Sequence, residues 1–389
     1  MIISKKFIIA TQKYLLSGKI WYFMLNSNSE IIKDRGMDLK KLKAISLFSG
    51  AGGMDVGFEK AGVEVIWANE INKETAETYK LNHPNTTLVN DDINNQISTL
   101  ESFRGNVDLV FGGPPCQGFS VAGKMDPNDE RSQLVWSFLD VVKVTQPRAF
   151  VLENVKALAK LEKWSEVRKR IFSVSQEMGY TCFPFLLNAT EYGVPQKRER
   201  VFFIGIKNDL FFEEQINYYL QNNKIKAKTI KETLFDLGRA GTEKNPNTCT
   251  AKITFATNPI MRKTAYSGMY FNGQGRPINI DDYANTLPAS MGGNKTPFID
   301  EEYLYGDAHS NWVESYHKKL VDGYEPVFEE APTRLRRLTI KEAARIQTFP
   351  ENYIFYGSKG RVYTQIGNAV PCDLAYAVAK SVVKYLSQD

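Results

Sequence analysis

Short apolar runs that break into glycine or acidic residues recur along the first half of the chain. Between them lie stretches with apolar residues at helical spacing. Ala44-Ile45-Ser46-Leu47-Phe48 reads as a buried strand. It is followed by the glycine-rich turn Ser49-Gly50-Ala51-Gly52-Gly53 and by a helix from Asp55 to Ala61. Val63 to Ala68 is a second strand ending at Asn69-Glu70, and Thr75 to Asn82 reads as a helix. Thr87 to Val89 is a third strand, ending at Asp91-Asp92. Val107 to Phe111 is a fourth, running into Gly112-Gly113-Pro114-Pro115-Cys116. A helix from Leu134 to Val144 leads to a fifth strand, Ala149 to Leu152, ending at Glu153-Asn154. A helix from Val167 to Met178 and strands at Thr181 to Leu187 and Val201 to Ile206 complete the series. Strands alternating with helices predict an α/β fold with a doubly wound, mostly parallel sheet.

After Ile206 this rhythm stops. Residues 208–330 are rich in Asn, Gly, Tyr and Lys and predict a separate, irregular or β-rich module, with loops at Gly268 to Gly275 and Ala289 to Pro297. From Arg334 a helical pattern returns. The stretch Leu338 to Ile346 opens at Thr339, a candidate N-cap. Thr364 to Pro371 reads as a turn and Leu374 to Leu386 as a closing amphipathic helix. Residues 1–40 carry little pattern. Met37 stands just before the first clear strand, so the extension is expected to be dispensable.

Composition narrows the class. The chain has 389 residues, 43% hydrophobic and 24% charged, an ordinary globular balance with room for about two or three domains. A formal net charge of +5 permits nucleic-acid binding without establishing it. Cys116, Cys182, Cys249 and Cys372 are far apart and form no C-x-x-C pair. His83, His309 and His317 share no ligand spacing with them. Neither a zinc site nor a disulfide framework is indicated, and Cys116 is expected to remain a free thiol in a reducing compartment. No apolar run approaches a membrane span. Phe7 to Ala10 is interrupted by Thr11, Gln12 and Lys13 too soon for a signal peptide, which predicts a cytoplasmic protein.

The chemistry-bearing residues share one position in the predicted fold. The glycine turn, Glu70, Asp92, Cys116 and Glu153 each follow a different strand, and in a parallel sheet those ends line one edge, where ligands bind. The turn lets backbone approach a ligand closely. Glu70, about 20 residues further on, is placed to accept from ribose hydroxyls. The spacing G-x-G-G has one spacer fewer than the dinucleotide pattern and predicts a nucleoside ligand. Asp92 has two readings, an acceptor for an adenine amino group or a helix N-cap. Cys116 needs activation, because the thiolate is the nucleophile. Arg198 and Arg200 are candidate local positive charges, or a solvated basic run. Glu153 is either a partly desolvated acid able to hold a proton near neutrality or a carboxylate set on a helix dipole.

In this order the motifs resemble those of DNA cytosine C5-methyltransferases of the restriction-modification type. They are Leu47-Phe48-Ser49-Gly50-Ala51-Gly52-Gly53, Gly113-Pro114-Pro115-Cys116-Gln117-Gly118-Phe119-Ser120, Glu153-Asn154-Val155, Gln196-x-Arg198-x-Arg200, Arg336-x-Leu338-Thr339, Arg345-Ile346-Gln347-x-Phe349-Pro350 and Gln365-x-Gly367-Asn368-x-Val370-Pro371. The resemblance covers Ala44 to Ile206 and Arg334 to the C-terminus. It implies a Rossmann-like, S-adenosylmethionine-dependent methyltransferase sheet with a second, smaller target-recognition domain. On this reading residues 1–40 are an extension, 41–207 the catalytic and cofactor-binding domain, 208–360 the target-recognition domain, and 361–389 a segment returning to the first domain. The resemblance further implies that Phe48, Gly50, Gly52, Glu70, Ile71, Asp92 and Ile93 hold S-adenosylmethionine. Pro115, Leu134, Asn368 and Val370 would complete that pocket, S-adenosylhomocysteine would be the product, and no metal is expected. Cys116 would attack C6 of cytosine and Glu153 would contact N3 and the exocyclic amine. Arg198 and Arg200 would support the cysteine and contact the base O2, Arg200 foremost. Gln117, Ser120, Gln196 and Arg336 are expected to touch DNA. The implied partners are double-stranded DNA and a cognate restriction endonuclease acting on the same site, with the enzyme a monomer free of membranes. Three rivals remain: a tRNA cytosine-5 methyltransferase of the same fold, a non-catalytic nucleic-acid-binding relative, and a small-molecule methyltransferase.

Overall fold

The computed structural model describes residues 11–16, 19–24, 41–115, 130–207, 213–306 and 308–388. The chain forms two units, Met1–Lys40 and Lys41–Asp389. In the first, Thr11–Leu16 pairs antiparallel with Lys19–Met24, with Tyr14 opposite Trp21 and Leu15 opposite Ile20. Thr11–Leu16 opens with three polar residues and Lys19–Met24 is apolar after its first, so neither strand shows a period of two in the sequence, which is why this hairpin went unread.

The second unit is built on a seven-stranded sheet. Its strands are β1 (Lys43–Leu47), β2 (Glu64–Asn69), β3 (Thr87–Val89), β4 (Leu109–Gly112), β5 (Ala149–Val155), β6 (Tyr180–Asn188) and β7 (Glu199–Lys207), in the order β3-β2-β1-β4-β5-β7-β6. The first five are parallel, and β7 runs antiparallel to both β5 and β6. This is the doubly wound, mostly parallel sheet that the alternation predicts. Alternate residues of each strand enter two different cores, as the pleat requires. Ala44, Phe111, Val151 and Ile204 pack on one face with Phe58 of helix α1 (Gly53–Lys60). Ile45, Val110, Phe150 and Phe203 pack on the other face. There they meet Phe138 and Leu139 of α3 (Glu130–Thr145) and Ile171 of α4 (Ser165–Glu177). Helix α2 (Lys73–Asn82) follows β2 and is capped by Asn72, which accepts from the Thr75 N–H. Both faces of the sheet are covered, which explains strands apolar along their whole length.

Past β7 the chain contains more helix than its composition predicts. Helix α5 (Glu213–Asn222) buries Ile216 and Leu220 in the same core as Phe58, so the packing of the sheet continues beyond residue 207. Further on, the helix Trp312–Val321 buries Val313 and Tyr316. Short strand pairs are also present. Phe255–Ile260 pairs with Met269–Phe271, and Phe298–Asp300 with Leu335–Arg337. A separate core gathers Ile230, Leu234, Ile280, Leu287, Leu338 and Ile346.

Helix α6 (Ile340–Ile346) starts as predicted at Thr339. The Thr339 hydroxyl accepts from the Glu342 N–H at 3.1 Å and the Glu342 carboxylate accepts from the Thr339 N–H at 2.8 Å, a capping box. The turn expected over Thr364 to Pro371 is instead mostly helix. Helix α7 (Lys359–Asn368) runs almost to its end and buries Val362, Tyr363 and Ile366. Gly367, the residue that reads as a turn former, is there for close approach: a Cβ would lie 2.3 Å from the Pro288 carbonyl oxygen. The chain turns only at Ala369, before the closing helix α8 (Cys372–Leu386).

Candidate active site

The ends of β1, β2 and β3 are knitted together by backbone and carboxylates. At the end of β1, Phe48 has φ 53°, and Gly50 and Gly52 have φ 56° and 78°. A bulky residue in the left-handed region is strained, and such strain persists where surrounding structure enforces it. That enforcement is visible. The Ser49 N–H donates to the Asn69 carbonyl at 2.9 Å. The Glu70 carboxylate accepts from the Gly50 N–H at 2.9 Å and from the Asn72 N–H at 2.7 Å. Burial pushes the Glu70 carboxyl up, against the pull of those N–H donors. Asn69 Nδ2 reaches the Asp91 carbonyl at 2.8 Å, binding the end of β3 to the end of β2.

A second carboxylate stands at the end of β5. The register pairs Arg200 with Val155 and Phe202 with Glu153, so Arg200 and Glu153 share a sheet face on diagonal positions. Arg200 Nε donates to Glu153 Oε1 at 2.8 Å, and the two side chains are 15% and 10% exposed. Burial pushes the Glu153 carboxyl up, while the guanidiniums of Arg200 and Arg198 pull it back. The root of the next loop is tied to this corner: Asn154 Nδ2 donates to the Pro114 carbonyl at 3.4 Å. Cys116, Gln117 and Ser120 follow that root and lie outside the described residues. One cleft joins the two regions. It is lined by Phe48, Gly50, Gly113, Glu153, Asn368 and Val370. Asn368 and Val370 thus reach the sheet edge from the far end of the sequence, as the motif order implied.

The remaining expected residues are placed differently. Asp92 takes its capping role: its carboxylate accepts from the Asn94 N–H at 2.9 Å, heading the turn Ile93–Asn95. Ile93 is buried in the core that holds Leu139, and half-buried Leu134 packs against the same core. Ile71 is 66% exposed beside Glu70, and Pro115 is half-buried. Gln196 and Arg336, expected to touch DNA, are enclosed instead. Gln196 donates to Gln347 Oε1 at 2.9 Å and accepts from the Leu287 N–H at 2.8 Å. Arg336 is held between Glu301, at 2.6 Å, and Glu342, at 2.7 Å. Arg198 is buried too, and donates to the carbonyls of Leu287 at 3.2 Å and Gly367 at 3.0 Å. Gln196 and Arg198, joined through Leu287, form a knot that sequence reasoning missed, with Gln347 accepting from Gln196 and donating to the Ile366 carbonyl at 2.6 Å. Its signal was present in Gln196-x-Arg198 and Arg345-Ile346-Gln347, but polar motifs read as surface until their partners are known. A larger cleft lies among Ile340, Ala344, Phe349 and Val362. The nearby Arg345 is occupied by Asp236 and Glu351. Among the described residues no group of three or more His, Cys, Asp or Glu side chains could hold a metal ion. No helix among them is long and apolar enough to cross a membrane.

Beside the cleft, and bonded to Gly50 of its lining, the Glu70 carboxylate keeps acceptor capacity of the kind ribose hydroxyls require, with exposed Ile71 next to it in the chain. The sheet order is consistent with the fold of S-adenosylmethionine-dependent methyltransferases. More narrowly, the chain belongs to the C-5 cytosine-specific DNA methylase family, whose profile matches residues 42–384. It is 36% identical over 349 residues to the Type II methyltransferase M.FnuDI of Fusobacterium nucleatum, covering 89% of this chain and 95% of that one. It is 33% identical over 359 residues to the Type II methyltransferase M.NgoPII of Neisseria gonorrhoeae, covering 89% and 97%. Among solved structures its fold is similar to that of the S. pombe Dnmt2 methyltransferase, with a TM-score of 0.61 at 18% identity over 90% of this chain and 99% of that one. The Entamoeba histolytica methyltransferase EhMeth matches with a TM-score of 0.62 at 18% identity, over 89% and 99%.

Proposed function

We propose that this DNA cytosine-5 methyltransferase modifies one cytosine within a specific double-stranded sequence, flipping the base out of the helix and forming a transient bond from Cys116 to C6. The observation that carries this reading is the single cleft shared by the Phe48 turn and Glu153. Bound S-adenosylmethionine supplies an electrophilic methyl group there. Cytosine C5 is a poor nucleophile until a thiolate adds at C6, which makes C5 enamine-like. Negative charge then gathers toward N3, where Glu153, partly desolvated and oriented by Arg200, meets it with a proton or hydrogen bond. Loss of the C5 proton and expulsion of the thiolate restore the aromatic ring. C5 is buried in a duplex, so extrusion of the base is part of the reaction.

Of residues 208–360, the part beyond helix α5, which packs in the sheet core, is assigned to target recognition. Arg262, Lys263, Arg276 and Lys295, with Tyr283, are assigned as donors for phosphates and base edges, whereas Tyr270 is buried with its hydroxyl on the Thr264 carbonyl and Tyr266 donates to Glu314. Gln196, Arg198 and Arg336 are assigned to the framework that carries this module rather than to DNA contact. The enzyme is assigned to the cytoplasm as a monomer, protecting host DNA beside a cognate restriction endonuclease, with residues 1–40 not required. The test is transfer of a tritiated methyl group from S-adenosylmethionine. Incorporation into duplex DNA supports the assignment, and bisulfite sequencing then locates the modified cytosine. Incorporation into tRNA alone overturns it.

A further inference from the structure

Behind the glycine turn lies a polar cluster that neither the motifs nor the reaction accounts for. His83, just past the end of α2, is 3% exposed. Its Nδ1 lies 3.1 Å from both carboxylate oxygens of Glu59 on α1. Its Nε2 lies 3.1 Å from the Tyr353 hydroxyl. That hydroxyl in turn donates to the carbonyl of Ala51, inside the turn. The Tyr353 proton is therefore committed to Ala51, and Nε2 must donate to the tyrosine oxygen. With Nδ1 facing a carboxylate, the ring is set to carry both protons. Burial opposes that charge, but the hydrogen bond donated to Glu59 and the charges of Asp55 and Glu59 outweigh it and raise the imidazole pKa.

The contact with the turn is close. A Cβ on Gly52 would lie 2.3 Å from His83 Nε2 and 2.6 Å from the Tyr353 oxygen. Tyr353 is itself anchored by α2. The Asn82 side chain donates to the Ile354 carbonyl at 2.7 Å and accepts from the Ile354 N–H at 2.9 Å. The Tyr356 N–H donates to Thr78 Oγ1 at 2.8 Å. A residue from the last tenth of the chain thus supports a turn more than 300 positions earlier.

We propose that Tyr353, held by the His83–Glu59 pair, is a positioning residue that fixes the strained Phe48–Gly52 turn in the shape that binds the methyl donor. This rests on the reading of that turn as the cofactor's seat. An unsupported turn relaxes from its left-handed backbone, and the cofactor must then restore it at the cost of affinity.

The experiment is calorimetric titration of the full chain with S-adenosylhomocysteine, alongside urea unfolding without ligand. Tyr353→Phe is expected to raise Kd about fivefold, the worth of one hydrogen bond. His83→Leu is expected to do the same, His83→Gln, which keeps a donor, to recover most of the loss, and the double variant Tyr353→Phe/His83→Leu to bind no worse than either single change. Affinity for duplex DNA is expected to stay at the wild-type value. A Kd unchanged in both Tyr353→Phe and His83→Leu, with a lower unfolding midpoint, would make the cluster merely structural and overturn the proposal. Glu70→Ala separates the two levels. If it weakens binding while the Tyr353 and His83 variants do not, the positioning role alone fails. If Glu70→Ala leaves binding unchanged, the seat itself is misassigned and both fall.

Discussion

At the end of β5 an arginine meets a carboxylate on the rim of an open cleft. Two residues earlier in the same motif, another arginine is sealed from solvent and donates to backbone carbonyls. Arg200 and Glu153 remain 15% and 10% exposed, whereas Arg198 is 2% exposed. In the first region Glu153 lines the cleft, where the proposed reaction needs it. In the second, the Arg198 donors are taken by Leu287 and Gly367, beside Asn368 and Val370 of the cleft, while its charge still reaches Glu153. On the proposed reading one motif contributes chemistry at one end and assembly at the other.

The largest effect that would sharpen this contrast is on turnover. Glu153→Gln is expected to lower kcat for methyl transfer about 10²- to 10⁴-fold, the usual range for a general acid, with little change in thermal midpoint. A variant with near-normal kcat would remove Glu153 from the chemistry. Arg198→Met should show the reverse pattern. It leaves two buried carbonyls without a charged donor and is expected to cost about 3 kcal/mol in urea unfolding, while the folded fraction keeps kcat within about tenfold of wild type. An Arg198→Met protein that is stable but inactive would break the comparison.

The smallest effect is a dependence on pH. Glu153 has its carboxyl pKa raised in the folded protein, chiefly by burial, so folding favours the protonated form. The stability that Glu153 contributes is full below the ordinary carboxylate range and is lost as pH rises through the raised value. The stability of Glu153→Gln relative to wild type should therefore grow with pH across that window and level off above it. Gln196→Met, which alters only groups that do not titrate there, should show no such trend. Parallel curves for the two variants would contradict the distinction.

Much of the first region was legible in the sequence. Most sheet strands are apolar runs stopped by a polar break; Glu70 follows the end of β2 and Glu153 is the first polar residue of β5, so pattern and position sufficed. Thr339 was legible for a similar reason, since a capping box is local. The knot was not. Gln196 in the knot, and Arg336 apart from it, are residue types of a solvated surface, and their enclosure depends on Gln347 and Glu301 respectively, which are distant in sequence. Helix α5 was missed because it lies in a stretch whose Asn and Tyr content reads as irregular, with Asn217, Tyr218 and Tyr219 between Ile216 and Leu220. Helix α7 was missed because Gly367 is explained by Pro288, on another part of the chain. The His83–Tyr353 contact left no sequence signal, since neither residue belongs to a motif.

The central claim is that the cleft attacks cytosine through Cys116. It is tested most directly with long duplex DNA of mixed sequence in which 5-fluorocytosine replaces cytosine. Fluorine at C5 cannot leave as a proton does, so a reacting enzyme stays attached to the base. With S-adenosylmethionine present, wild type is predicted to form a complex that survives denaturing electrophoresis, and Cys116→Ser to form none. A complex of equal yield with Cys116→Ser, or none with wild type that methylates ordinary DNA, would contradict the account.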